Sequence, residues 1–374
     1  MEFTIAKSDL VRELSLSQGV VEKKTTIPIL SNVLIEADND RVTLTATDLE
    51  LGIRCSCPAR VKKSGAGTIP ARRLLDYVRL LPDADIAFKF LENHWASITC
   101  GRSKTRIAGM SRESFPELPE MPEQIGEIPY GLLSALISRT GFAISMEESR
   151  FTLNGALLLL KPEGVTMVST DGHRLAYVDQ PFQNGANRSF RALVPRKAMN
   201  EVLKLAAEGD PEQKAILAGD DNHLFFKFGD RLLITRKLTG NFPDYERVLP
   251  RENQHIALMV KTEIRSAIER VAQFADERSR AIRVRFEPGE VKVFSSSVET
   301  GESEESVPTE YQGPNLEIGF NAQYLLDFMR AITQDQVAFS LKDEKSAGEL
   351  QPYSVPTDGA ITQSYRYVVM PMRI

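Results

Sequence analysis

At 374 residues the chain exceeds one average domain and points to two or three. An apolar share of 42% and a charged share of 26% are those of a soluble globular protein, which excludes fibrous and extensively disordered architectures. The net charge of −5 argues against a simple basic nucleic-acid binder, although it does not say where the charges sit.

The first predicted element is an amphipathic helix over 7–18, with Leu10, Val11 and Leu14 on one face. Alternation in Val42-Leu44-Ala46 then marks a strand with one buried side. A second helix over 71–81 turns Leu74, Leu75, Val78 and Leu81 inward, and Ile86-Phe88-Phe90 alternates again. From Pro116 to Pro122 three prolines fall within seven residues, so Phe115–Pro122 should be an extended linker. The succession then restarts. A helix over 130–141 carries Leu132, Leu133, Leu136 and Ile137, and one over 196–208 carries Met199, Val202, Leu203 and Ala206. Leu249-Pro250-Arg251-Glu252-Asn253 marks a second boundary. Beyond it come helices over 261–274 (Ile264, Ala267, Ile268, Val271) and 322–335 (Leu325, Phe328, Met329, Ile332).

Local motifs recur at the same period. Ile69-Pro70-Ala71-Arg72-Arg73, Val194-Pro195-Arg196-Lys197-Ala198 and Ile318-Gly319-Phe320-Asn321-Ala322 are spaced by 125 and 124 residues. Phe115-Pro116-Glu117-Leu118 returns as Phe242-Pro243-Asp244-Tyr245, and Leu44-Thr45-Ala46-Thr47-Asp48-Leu49 returns as Met167-Val168-Ser169-Thr170-Asp171-Gly172. Val293-Phe294-Ser295-Ser296 should hold the same place in the last third. Three independent matches make a triplicated unit, each copy long enough for its own core, with domains at 1–124, 125–251 and 252–374. Strand runs with two isolated helices per copy give an α+β class, helices on one face of a mostly antiparallel sheet.

Signals of catalysis are sparse. No phosphate-binding Gly-x-x-x-x-Gly-Lys-Ser/Thr loop or His-Glu-x-x-His motif occurs, and His94, His173, His223 and His255 are scattered. No cofactor or metal is expected. Cys55, Cys57 and Cys100 are too few for a disulfide framework, and Cys55-x-Cys57 reads as two structural thiols on one sheet face. No stretch reaches the roughly 18 apolar residues of a membrane helix, and no secretory signal opens the chain, so a cytoplasmic location is expected. Ser169-Thr170-Asp171-Gly172-His173-Arg174 holds the ingredients of a hydrolytic triad. However, side chains this close in sequence rarely converge, and Asp-Gly reads as a tight turn. The first copy keeps Thr47-Asp48 without Gly-His-Arg, so Thr-Asp looks like shared scaffold and Gly-His-Arg like an addition. The end, Tyr367–Ile374, is mostly apolar: Tyr365–Val369 should be a final edge strand, and composition leaves Met370, Pro371 and Met372 open between packing and a binding groove. The six helices carry a net +4, leaving −9 elsewhere, which fits either ordinary mixed helix faces or a surface turned toward phosphates.

Several of these segments together resemble the bacterial DNA polymerase III beta subunit family, the sliding clamps. They are Ile27-Pro28-Ile29-Leu30, Thr170–Ala176, Val194–Lys197, Asn241–Tyr245, Gly319-Phe320-Asn321 with Tyr324, and Tyr367–Arg373, in order along nearly the whole chain. The resemblance implies a head-to-tail homodimeric ring with helices lining a central hole and sheets outside. Duplex DNA would thread the hole without sequence readout, and no activity would reside in the ring. Implied partners are the DNA polymerase III alpha subunit, an ATP-driven clamp loader, other polymerases, mismatch repair proteins and ligase; no membrane is involved.

The partners would dock short peptides with Gln and Leu/Phe-type anchors in a hydrophobic cleft between the second and third domains. Carried over, its wall would be Arg150, Leu153, Thr170, Gly172, His173, Arg174, Leu175, Pro243, Arg247, Val248, Asn321, Tyr324, Val368, Val369, Met370, Pro371 and Met372. Arg150, His173 and Arg174 would supply polar anchoring. DNA contacts would come from Lys24, Arg72, Arg73, Arg196 and Lys197. Met146–Ser149 carries two acids where the family often faces DNA, so no contact is assigned there, and Asp343–Leu350 departs from the family pattern. Two rival readings are a hydrolase using Asp171 and His173, and a monomeric DNA-binding protein of the same fold.

Overall fold

The structure is a computed structural model that describes residues 1–21, 26–186, 189–297, 301–354 and 363–373. Among these residues the six expected helices are present: α1 (Lys7–Ser17), α2 (Ala71–Leu80), α3 (Tyr130–Thr140), α4 (Arg196–Ala206), α5 (Lys261–Val271) and α6 (Ala322–Ala331). α6 stops four residues short of the expected end because Ile332 turns extended, at φ −93° and ψ 145°. α5 tightens into a 3-10 turn over Ala272–Phe274. The inward faces are those given by helical spacing: Leu10, Leu14, Leu74, Val78, Leu136, Val202, Ile264, Ile268, Leu325 and Phe328 are all buried. Every strand pairing among the described residues is antiparallel.

The three sequence repeats fold into two compact units, built chiefly from Met1–Ser134 with Lys197–Lys237, and from Ala135–Asn184, Ser189–Arg196 and the chain beyond Leu238. The cause lies in the sheets, which run through the repeat boundaries. In the first unit an eight-stranded sheet carries four strands of the second copy beside four of the first, joined where Leu51–Pro58 pairs with Arg231–Arg236. A five-stranded sheet from Arg60–Lys63 to Ser103–Ala108 completes that unit. α1 and α2 close over its core, in which Phe3 and Phe88 stack with ring centroids 4.9 Å apart.

The second unit repeats the device. Its eight-stranded sheet joins the second copy to the third where Arg174–Pro181 pairs with Ser364–Val369, and a four-stranded sheet runs from Gly301–Pro308 to Leu316–Asn321. The last strand is therefore no edge: it lies between Arg174–Pro181 and Gly348–Tyr353, with Tyr367, Val368 and Val369 buried. Phe328 of α6 stacks on Tyr367 at 5.1 Å. Beyond the strand the chain stays pinned, the Met370 amide donating to the His173 carbonyl (2.9 Å) and that of Met372 to Gly319 (2.8 Å). No helix among the described residues is long and apolar enough to cross a membrane.

Candidate functional site

The site grows from one hairpin in the second unit. Gly164–Thr170 and Arg174–Pro181 are joined by a turn at Asp171–His173. Asp171 Oδ1 accepts from the amides of His173 (2.9 Å) and Arg174 (3.0 Å). Thr170 Oγ1 donates to the Arg174 carbonyl (2.6 Å) and accepts from the Gly172 amide (3.1 Å). Short polar side chains that bond their own backbone fix turns of this kind. The first copy reproduces the pattern: Asp48 Oδ1 accepts from Glu50 and Leu51, and Thr47 Oγ1 donates to the Leu51 carbonyl and accepts from Leu49. Thr-Asp is thus shared scaffold.

After the shared Thr-Asp the two turns diverge, Leu49-Glu50 in the first copy against Gly172-His173 in the second. The position with positive φ is Gly172 at 89° in the second copy and Leu49, half exposed, at 78° in the first. A bulky L-residue is strained there. Leu49→Gly is expected to raise stability by roughly 1 kcal/mol and Gly172→Ala to lower it by at least as much, measured by urea unfolding. At Gly172 the added Cβ also meets Arg150 Nη1 at 3.0 Å.

Arg174 has a structural role that local sequence does not reveal. Its side chain is 10% exposed. Nε donates to Asp171 Oδ2 (3.0 Å), Nη1 to Asp327 Oδ2 (2.6 Å) and Nη2 to the Phe142 carbonyl (2.7 Å). The guanidinium also lies 4.2 Å from the Tyr324 ring centroid. It ties the hairpin to α6, and its polar anchoring is spent inside the fold.

Against this hairpin lies a small apolar cavity of about 110 Å³. Ten of the expected residues line it: Leu153, Thr170, Gly172, His173, Arg174, Leu175, Pro243, Val248, Val368 and Met370. Leu175 and Val368 are cross-strand partners and fully buried, which makes them the floor. Met370, 42% exposed, stands at the rim. Sequence reasoning missed Tyr245, which also lines the cavity. Its signal was present, since Tyr245 closes the recurring Phe242-Pro243-Asp244-Tyr245. Burial first, then neighbouring acids, push its phenol above the ordinary value.

The other expected wall residues fall outside the cavity. Arg150 sits beside it, donating to the Asp171 carbonyl (2.8 Å) and paired with Glu147 (2.8 Å). Arg247 lines an adjoining groove with Lys345, Ser346 and Ala347 of the segment that departs from the family pattern. Asn321 is occupied as the N-cap of α6, accepting from Gln323 and Tyr324. Tyr324 lies under Arg174, Val369 is buried in the sheet, and Pro371 and Met372 run past the cavity toward Gly319.

Of the expected DNA contacts, Lys24 lies outside the described residues. Arg72 and Arg73 are exposed in the first turn of α2, Arg72 3.8 Å from Asp76. Arg196 opens α4, its amide on the Asn154 carbonyl (3.1 Å). Lys197 is exposed but paired with the nearly buried Asp48, so the first Thr-Asp turn commits part of its charge.

The hydrolase reading fails on the same geometry. Ser169 is fully buried and donates to the Thr140 carbonyl, and both Asp171 oxygens serve the turn and Arg174. Cys55 and Cys57 are buried, burial pushing the Cys57 thiol up to about 12, so both are inert packing residues. Among the described residues no group of three or more His, Cys, Asp or Glu is placed to hold a metal.

Three α+β copies welded through shared sheets, with a small apolar cavity against the hairpin of the second copy, make a tandem-repeat α+β protein with a preformed pocket. Family models for the DNA polymerase III beta subunit match in order: the N-terminal domain at residues 1–119, the central domain at 127–244 and the C-terminal domain at 246–373. The chain belongs to the DNA polymerase III beta subunit family, a family of non-catalytic processivity factors. It is 34% identical over 377 residues to the beta sliding clamp of Chlamydia muridarum, covering all of this chain and 99% of that one. It is 35% identical to the beta sliding clamp of Pseudomonas aeruginosa over the full length of both. The crystal structure of the DNA polymerase III subunit beta from Pseudomonas aeruginosa superposes with a TM-score of 0.93 at 34% identity, covering both chains completely.

Proposed function

We propose that this chain is a DNA sliding clamp: two copies close head to tail into a ring that encircles duplex DNA and tethers the replicative polymerase through the apolar cavity. Family membership over the whole length supports the clamp. The cavity beneath His173 and Met370 carries the tethering, because its small apolar volume suits one or two anchor side chains of a peptide rather than a whole small molecule. Closure around DNA turns rebinding of the polymerase into an intramolecular step at high effective concentration. The DNA polymerase III alpha subunit, a clamp loader, other polymerases, mismatch repair proteins and ligase would share this cavity, in the cytoplasm.

The helix starts favour DNA as the threaded partner. α1 and α5 carry an acid in the first turn, Asp9 and Glu263, as the helix dipole prefers. α2 and α4 carry none there and open with Arg72-Arg73 and Arg196-Lys197. Cations at the positive end of a helix cost local stability, and they concentrate positive field where a phosphate would meet it. Backbone-only contact of this kind allows sliding.

Loaded onto a closed plasmid, the clamp is expected to stay through gel filtration and to run off once the plasmid is cut. Reversing Arg72, Arg73 and Arg196 to Glu is expected to weaken retention and flatten its salt dependence. Equal loss from circular and linear DNA would overturn encirclement, and an unchanged salt slope would remove these residues from the lining.

A further inference from the structure

We propose that a basic groove beside the cavity selects peptides whose anchor side chains are flanked by acidic residues. The inference rests on the peptide-binding reading above and adds to it the charge of the ligand.

The groove, about 630 Å³, shares Val248 and Met370 with the cavity, so a peptide seated in one continues into the other. One wall is the segment after the 3-10 turn at Tyr245–Arg247, and the other is the turn after the strand Gln336–Leu341. The two walls are stapled: Asn253 Nδ2 donates to the carbonyls of Ser340 (2.9 Å) and Ala347 (3.0 Å). Asp343 fixes the second wall by accepting from the amides of Lys345 (2.9 Å) and Ser346 (2.8 Å). The groove is therefore formed before any ligand arrives, which lowers the ordering cost of binding.

Its charge is one-sided. Arg247, Arg251, Lys342 and Lys345 line it and are exposed, against Glu252 as the lone acid among the lining residues. Arg247 is paired with Asp244 (2.8 Å) and Lys342 with Glu252 (2.6 Å). Arg251 and Lys345 have no ion-pair partner among the described residues, one on each wall. The apolar cavity ranks peptides chiefly by anchor shape, since the guanidinium in its lining, that of Arg174, is committed to Asp171 and Asp327. The two unpaired cations supply a second criterion, as charged rims do at other interfaces.

The test uses three synthetic peptides with the same Leu and Phe anchors: one neutral, one with an Asp-Glu pair before the anchors, one with the pair after them. Binding to the full-length protein is read by fluorescence anisotropy. At least one acidic peptide is expected to bind roughly fivefold tighter than the neutral one at about 50 mM salt, with the advantage lost near 500 mM, as for exposed charges. The double variant R251S/K345S is expected to remove the advantage and leave the neutral peptide's affinity unchanged. Equal binding of all three peptides overturns the groove and leaves the cavity standing. An acidic advantage that survives in R251S/K345S also overturns it. Binding of none of the three overturns the cavity reading, and this inference with it.

Discussion

Replacing Arg231 with methionine should cost about 3 kcal/mol, among the largest losses available to a single substitution outside the hydrophobic core. Glu13 of α1 is 2% exposed and is held by Arg231 through two hydrogen bonds, Nε to Oε2 at 2.8 Å and Nη2 to Oε1 at 2.7 Å. Arg12 adds a third at 2.9 Å. The pair joins the first copy to the second within one unit. Without Arg231 a nearly buried carboxylate keeps only a half-exposed partner. At roughly 2 °C per kcal/mol for a protein of this size, the midpoint of thermal unfolding should fall by about 6 °C. The double variant E13L/R231M should recover most of the loss, because a well-packed apolar pair often matches a buried ion pair. A single variant as stable as the wild type would show that Arg12 alone suffices.

The same pair has a pH signature. Burial by itself would raise the Glu13 carboxyl, but hydrogen bonds from Arg231 and Arg12 outweigh it and hold the carboxyl below its ordinary value. A depressed carboxyl stabilises the fold above the unfolded value of about 4.3, and that contribution is lost as pH falls through the folded value. The wild type's margin over R231M should therefore shrink on acidification.

Helix faces were legible because the signal is local. Leu74, Leu75 and Val78 fall at i, i+3 and i+4 spacings whatever surrounds them, and they pack as that spacing dictates. The shared sheets were not legible. Alternation along Leu51–Pro58 or Ser364–Val369 states which side is buried and is silent on which strand lies alongside. Alternation alone therefore makes the last strand an edge, whereas the second copy supplies its outer neighbour. The cavity was readable from resemblance, yet the role of Arg174 was not, since Asp327 lies 153 residues further on. Tyr245 was visible in a repeated motif that read as linker, and its place against Tyr177, ring centroids 5.9 Å apart, exists only after folding.

The double substitution H173A/M370A should weaken peptide binding by about thirtyfold, near 2 kcal/mol, while leaving thermal stability close to that of the wild type. Both side chains stand at the rim and neither is fully buried. The hydrogen bond between them runs from the Met370 amide to the His173 carbonyl, so it survives truncation of both side chains. The floor of Leu175 and Val368 and the wall of Leu153, Pro243 and Val248 then remain without a rim, water enters, and the anchor side chain loses part of the enclosure that makes apolar contact worthwhile. Arg174→Ala supplies the contrast. It lowers binding only by loosening the hairpin, so its loss of affinity should come with a fall in melting temperature, because Asp171 and Asp327 lose their shared partner. Titrating one labelled peptide against both variants, beside their melting curves, separates a residue that touches the ligand from one that shapes the site. Undiminished affinity in H173A/M370A would place the peptide elsewhere.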